Sequence, residues 1–434
     1  MSFLPRVAII GAGCSGITAL KNCLEKGLST VCFEAGAEIG GNWIYSADAS
    51  HSSVCETTHI ISSKTLSAYL DFPMPEDYPD YPSHDQVLAY FHRYADEFGL
   101  REHIRLNSRV ETAERQPDDS WQLALSDGTV EYFDFLLTAN GHHNHPRHPE
   151  GIRERFAGRY LHSHDYKHNR SFAGERILVI GSGNSGSDCA VEISRTAERV
   201  DISIRRPHYI IPKFFLGKPA DTFNKSLQYL PVFLREPIQK LSLRFQVGRY
   251  ADYGLEEPVE PVTRSHPTLN SELLYKIRHG KVHPQRGVEK VEGKRVFFKD
   301  GREGEYDTIV AATGYKITFP FFNDDIVNYE EADRIPLYLR MFHPEQPTLI
   351  FIGLFQPQGA IWPLSDAQAR LAAAYLAGEY QLPGNLAALS EADSKHIEQE
   401  FTRSKRHTIE VHYHPFLRAL KRELRKTKKR ELSN

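Results

Sequence analysis

No run of about 18 apolar residues occurs in the sequence, so no membrane-spanning helix is expected from it. Cysteine is scarce. Five residues, Cys14, Cys23, Cys32, Cys55 and Cys189, form no C-x-x-C pair, which argues against a disulfide framework or a zinc site and fits a reducing compartment. An excess of charge of one sign is missing too: 53 Lys and Arg stand against 56 Asp and Glu, a formal net charge of −3. Nothing in that balance draws in nucleic acid or an anionic membrane surface, and no partner of either kind is expected. Met1 to Arg6 is too short and too polar for a signal peptide, so a soluble, cytoplasmic protein is expected. The one strongly basic stretch, RALKRELRKTKKR at Arg418 to Arg430, reads as a frayed, solvated terminal helix rather than a lipid contact. A length of 434 residues suggests two or three domains.

What is present is organised around Val7 to Gly16. Val7-Ala8-Ile9-Ile10 is a strand-like apolar run, and Gly11-Ala12-Gly13-Cys14-Ser15-Gly16 follows at G-x-G-x-x-G spacing, leading into a helical pattern from Ile17 to Lys26. The first glycine permits a sharp turn, the second lets backbone approach a pyrophosphate, and the third lets helix pack on strand. The helix N-terminus then offers N–H groups to the phosphate charge. A second short strand, Thr30 to Phe33, ends in Glu34, near the offset of about 20 residues at which a carboxylate meets ribose hydroxyls. Beyond it, EIGGNW carries Gly40, Gly41, Asn42 and Trp43. The Trp43 face suits either a ring system or a core.

The plan repeats. Arg176 to Ile180 leads into Gly181-Ser182-Gly183-Asn184-Ser185-Gly186, then a helix from Ser187 to about Arg195 and a strand from Val200 to Ile204. At the position matching Glu34 stands Ile204, followed by Arg205 and Arg206. A guanidinium binds a ribose 2′-phosphate that a carboxylate would repel. The second cassette is therefore read as built for NADPH. FAD is then the natural occupant of the first, with its isoalloxazine receiving the hydride.

Between these landmarks, LDFPMPEDYPDYP at 70–82 reads as a structured loop, and Ser83 to Phe98 as a helix capped by Ser83. Strand meanders are expected at Val110 to Thr138 and Val296 to Val310, turning at Asp127-Gly128 and Asp300-Gly301. His142, His143, His145 and His148 lack metal-ligand spacing and read as a connector near a hinge, so no metal site is expected.

The set of motifs resembles the flavin-containing monooxygenases over most of the chain. The family's identifying pattern F-x-G-x-x-x-H-x-x-x-(Y/F)-K is present as Phe156, Gly158, His162, Tyr166 and Lys167, between the two cassettes. GAGCSG, EIGGNW, GSGNSGSDCAVEIS, SIRR, ATGY and GLFQPQGAIWPLSDAQAR look like the family's segments as well. The resemblance implies an enzyme that reduces FAD with NADPH, captures molecular oxygen as a C4a-hydroperoxide and passes one oxygen atom to a soft nucleophile. It implies that Gly11, Ala12, Gly13, Cys14, Ser15, Gly16, Glu34, Gly41, Asn42 and Trp43 hold FAD, with Gln368 near the flavin ring. Gly181, Ser182, Gly183, Asn184, Ser185, Gly186, Ser187, Asp188, Ser203, Arg205 and Arg206 would hold NADPH. One position departs from the family. Ile61 stands where an Asn normally precedes Ser-Ser-Lys, and its side chain donates no hydrogen bond. Either His59, Ser62 or a shifted loop supplies the donor, or hydrogen peroxide leaks.

The expected fold is α/β, with two Rossmann-like dinucleotide-binding domains and the NADP domain inserted into a split FAD domain. Residues 1–168 and 316–434 would form the FAD domain. Residues 169–315 would form the NADP domain, with an inserted helical segment at about 207–270. The expected activity is oxygenation of S or N in a small organic molecule, or insertion beside a ketone carbonyl. An NADPH oxidase or flavin reductase is the alternative, and a non-catalytic redox sensor the alternative of another class. The resemblance suggests a homodimer.

Overall fold

The computed structural model describes residues 5–47, 52–222, 231–262, 267–330, 332–401 and 408–431. The chain packs as two compact units. The first comprises Met1–Ile44, Lys64–His145 and Lys316–Asn434, and the second Tyr45–Ser63 and Pro146–Tyr315. The sequence reading draws its first boundary at residue 168; by packing, Tyr45–Ser63 and the chain from Pro146 onward lie with the second unit.

In the first unit the run Arg6–Ile10 is the middle strand of a five-stranded parallel sheet, in the order Leu349–Phe351, Phe135–Thr138, Arg6–Ile10, Ser29–Phe33, Ile104–Arg105. Val7, Ala8 and Ile9 are fully buried, which is why this strand is continuously apolar instead of alternating. Helix Cys14–Glu25 packs against helix Trp362–Leu376. A buried polar link fixes the pair: Asp366 accepts from Thr18 Oγ1 at 2.9 Å and from Asn22 Nδ2 at 3.0 Å. The Ser83 cap is present, its side chain accepting from Gln86 N and Gln86 accepting in return from Ser83 N, ahead of helix His84–Glu97.

The second unit repeats the plan with the parallel order Val282–Arg286, Arg199–Ile204, Arg176–Ile180, Thr308–Ala311, Arg159–His162. Helix Asn184–Ile193 follows the middle strand and starts earlier than expected, directly on the glycine turn. Both meanders form as antiparallel three-stranded sheets. Their expected last strands, Phe135–Thr138 and Thr308–Ala311, leave the meander and join the parallel sheets, because both are buried apolar runs. Within 207–270 the described residues hold helix Val232–Val247, a 3-10 turn at Tyr250–Tyr253 and short strands.

The terminal helix is a correction. Tyr413–Glu431 packs on Trp362–Leu376 instead of fraying. Leu420 is fully buried and Tyr380 Oη donates to the buried Glu423 at 2.9 Å, so interleaved apolar residues outweigh the basic character of the stretch.

Candidate functional site

Each parallel sheet ends in a glycine turn at the carboxyl edge of its middle strand, the place where open α/β sheets bind ligands. The first turn is sterically committed. Gly11 has φ +99°, and a Cβ at Gly16 would lie 1.7 Å from the Gly11 carbonyl oxygen. Helix Cys14–Glu25 begins at Gly13 with no side-chain cap and no acidic residue in its first turn, leaving its N-terminal N–H groups to an anion. Glu34 closes the other side of the turn: Oε2 accepts from Ala12 N and Oε1 from Gly36 N, both at 2.7 Å. Each oxygen keeps a lone pair for a ribose hydroxyl.

Gly40 N donates to Ala12 O at 3.1 Å, and a Cβ on Gly41 would come 3.0 Å from Gly13 Cα, so the short turn Gly41–Trp43 lies directly on the glycine loop. Trp43 packs edge-on against Trp362 with ring centroids 5.7 Å apart. Ser15 Oγ lies 3.0 Å from Ser365 Oγ. Burial pushes the Cys14 thiol up to about 11, so it stays protonated at neutral pH. Gln368 is fully buried, with Oε1 accepting from Gly353 N and Nε2 donating to Leu339 O, each at 2.9 Å. The first-cassette residues and Gln368 thus all belong to one unit.

The second turn copies the steric logic, a Cβ at Gly186 falling 2.1 Å from Gly181 O. Helix Asn184–Ile193 again starts without a side-chain cap, at Gly183. The candidate residues here divide. Ser185, Arg205 and Arg206 are exposed, and among the described residues neither guanidinium has a hydrogen-bonded or ionic partner. Ser182, Ser187 and Ser203 turn inward: Ser187 Oγ donates to Ser182 O at 3.3 Å, and Ser203 Oγ to Arg286 O at 2.9 Å. Asn184 Oδ1 accepts from Leu269 N at 2.8 Å. The Asp188 carboxyl is pushed up to about 6, first by burial, against the opposing pull of Lys213 and of the hydrogen bond from Asn270 Nδ2 at 2.7 Å.

His59, Ile61 and Ser62 lie in the second unit, on the segment Tyr45–Ser63. His59 is exposed, with Nδ1 2.8 Å from Thr57 O, whereas Ile61 and Ser62 are half-buried. The identifying pattern is in the same unit. Phe156 is buried in the core beside Phe298 and Tyr306, and a Cβ at Gly158 would lie 2.4 Å from Asp307 O. Burial, with smaller contributions from the neighbouring His148 and His164, brings the His162 pKa down to about 4. Among the described residues no group of three or more His, Cys, Asp or Glu is placed to hold a metal ion. His142 Nε2 lies 3.4 Å from Gln356 Oε1, and His148 Nδ1 3.0 Å from Tyr160 Oη.

Two uncapped helix N-termini on two glycine turns, one flanked by a carboxylate and one by two arginines, fit two dinucleotides of different kind. The sequence profile of the flavin-binding monooxygenase-like (FMO-like) family matches residues 5–430. The chain belongs to that family. As a member of the FMO-like family it is an NADPH-dependent FAD monooxygenase that uses molecular oxygen and a small-molecule substrate. Flavin-containing monooxygenase 5 of Rattus norvegicus is 37% identical over 432 residues, covering 94% of this chain and 80% of that protein. Dimethylaniline monooxygenase [N-oxide-forming] 2 of the same organism is 34% identical over 444 residues, covering 96% and 82%. Among solved structures, S-allyl-L-cysteine S-oxygenase from Allium sativum superposes with a TM-score of 0.73 at 25% identity over 96% of this chain and 88% of that one. This FMO-like fold has the expected pair of parallel dinucleotide-binding sheets. No described helix is long and apolar enough to cross a membrane.

Sequence reasoning missed the residues that brace the second turn from a distance. Thr268 Oγ1 donates to Ser182 O, and His208 Nε2 lies against the same oxygen, each at 2.8 Å. Both come from the irregular segment, where no periodicity signals a role.

Proposed function

We propose that the Gly11–Gly16 turn with Glu34 holds FAD, that the Gly181–Gly186 turn with Arg205 and Arg206 holds NADPH, and that the enzyme oxygenates sulfur or nitrogen of a small organic molecule. One observation carries the assignment of the cofactors: the strand after the first turn ends in Glu34, whereas the strand after the second ends in the uncharged Ile204 followed directly by Arg205 and Arg206. Glu34 favours ribose hydroxyls and repels a 2′-phosphate, while Arg205 and Arg206 attract one. When bound, FAD and NADPH supply the hydride and oxygen-activation chemistry. The chain's own part is to seat the pyrophosphates on the N–H groups of the two helix N-termini and to admit no side chain at Gly16 and Gly186. The N-oxide-forming and S-oxygenase relatives support a soft N or S nucleophile as substrate.

The test is incorporation of labelled oxygen from the gas into a tertiary amine, a thioether and a cyclic ketone, offered separately with NADPH. Label in the amine or thioether product supports this reading. Label only in a lactone moves it to insertion beside a carbonyl. Rapid NADPH consumption without label in any product sinks it. That last outcome is the oxidase reading, which Ile61 favours because an alkyl side chain supplies no hydrogen bond.

We also read the protein as cytoplasmic and homodimeric. The five free cysteines support the first part and the family resemblance the second. Cell fractionation and light scattering on the purified protein test them.

A further inference from the structure

The segment bearing Ile61 is tied down by main-chain contacts to its own unit. Lys167, the last residue of the identifying pattern, is only 5% exposed, and its ammonium donates to Ser52 O at 2.6 Å and to Val54 O at 3.5 Å. Glu56 N donates back to Lys167 O at 2.9 Å, and Arg170 Nη1 meets Glu56 Oε2 at 2.7 Å. At the other end Lys213 Nζ reaches Ile60 O at 3.4 Å, and Ser63 N donates to Asp221 Oδ2 at 2.7 Å. Ser52, Val54, Ile60 and Ser63 are all buried, while Ile61 between these anchors is half-buried. A buried ammonium is costly unless its donors are met, and among the described residues Lys167 directs its hydrogen bonds to this one segment.

We propose that Lys167 is a positioning residue that clamps residues 52–63 as a strap, with Lys213 as the second clamp, and so sets where position 61 stands during oxygen transfer. The proposal rests on reading position 61 as the site where the family's Asn acts. It gives the lysine of the identifying pattern a physical role, which is to hold main chain whatever side chain occupies position 61. Burial lowers the Lys167 pKa, while nearby Asp165 and Cys55 oppose that shift.

The test compares wild type with Lys167→Met and Lys213→Met. In the protein stripped of FAD, amide exchange is followed in peptides covering 52–63, with the strand Arg176–Ile180 as internal reference. In the FAD-loaded protein, hydrogen peroxide released per NADPH consumed is measured with the accepted substrate present. The expected result for Lys167→Met is exchange at least tenfold faster in the strap, an unchanged reference strand and a peroxide share at least threefold higher. Lys213→Met should loosen the Ile60–Ser63 end in the same assay. It decides the matter if Lys167→Met does not fold. Unchanged strap exchange overturns the clamp. A loosened strap with an unchanged peroxide share overturns the link to oxygen transfer. Failure of wild type itself to incorporate labelled oxygen counts against the monooxygenase reading and not against the clamp, which the exchange data judge without FAD.

Discussion

Replacing Arg205 and Arg206 by alanine should convert a nucleotide preference into indifference. Both guanidiniums stand exposed at the end of strand Arg199–Ile204 with no partner among the described residues. Neighbouring cations are already committed, Arg286 to Glu256 at 3.2 Å and Arg302 to Asp300 at 2.7 Å. A hydrogen bond to a charged group contributes about 1.5 to 3 kcal/mol. Solvent exposure puts each arginine at the low end, about 1.5 kcal/mol, or roughly tenfold in affinity at 1.4 kcal/mol per decade. Each single variant should therefore lose about tenfold in kcat/KM for NADPH and the double variant about a hundredfold. NADH, which lacks the 2′-phosphate, should change less than about twofold. The assay is initial-rate oxidation of each nucleotide with FAD saturating, repeated at raised ionic strength, where the NADPH advantage of wild type should shrink as the charges are screened. Equal losses for both nucleotides would refute the reasoning by showing a structural role, and unchanged NADPH kinetics would place the 2′-phosphate elsewhere.

Other consequences follow from single groups. Gly16→Ala puts a methyl 1.7 Å from the Gly11 carbonyl oxygen and should yield protein with little bound FAD; a normal flavin-to-protein absorbance ratio would contradict the seat. Asp366→Ala removes the acceptor shared by Thr18, Asn22 and Arg370 and should cost about 3 kcal/mol in urea unfolding of the apoprotein, against which a loss below about 1 would count. Asp188 is raised from an ordinary 3.8 to about 6, so the fold favours its neutral form; that stabilisation is complete below 3.8 and lost as pH rises through 6. Asp188→Asn should then stabilise the apoprotein by about 3 kcal/mol at pH 8 and by nothing near pH 3.5, and a gain that does not depend on pH would refute the assignment. Ile61→Asn restores a donor at the departing position and should lower the peroxide released per NADPH; a higher yield would show that the strap is tuned to isoleucine.

The two cassettes were legible because their causes are local. A β-branched run, glycines at fixed spacing and an amphipathic run build strand, turn and helix from contacts within some twenty residues, and Glu34 against Arg205 and Arg206 is a difference of charge readable from letters alone. The Ser83 cap belongs to the same class, since its one partner residue, Gln86, lies within one helical turn. Tertiary structure decided which way the candidates face. Ser182, Ser187 and Ser203 look alike on paper to the exposed Ser185, yet all three are buried: Ser203 donates to Arg286 O from far along the chain, Ser187 donates within its own turn to Ser182 O, and that carbonyl also accepts from the remote Thr268. It also decided that the segment bearing Ile61 packs with the second unit, since Lys167, Lys213 and Asp221 reach it from far along the chain. The docking of the basic terminal helix was likewise invisible, because a charge count does not show that Leu420 and Glu423 meet buried partners. Local sterics and charge are written in consecutive residues, whereas a buried polar group's partner is chosen only when remote segments meet.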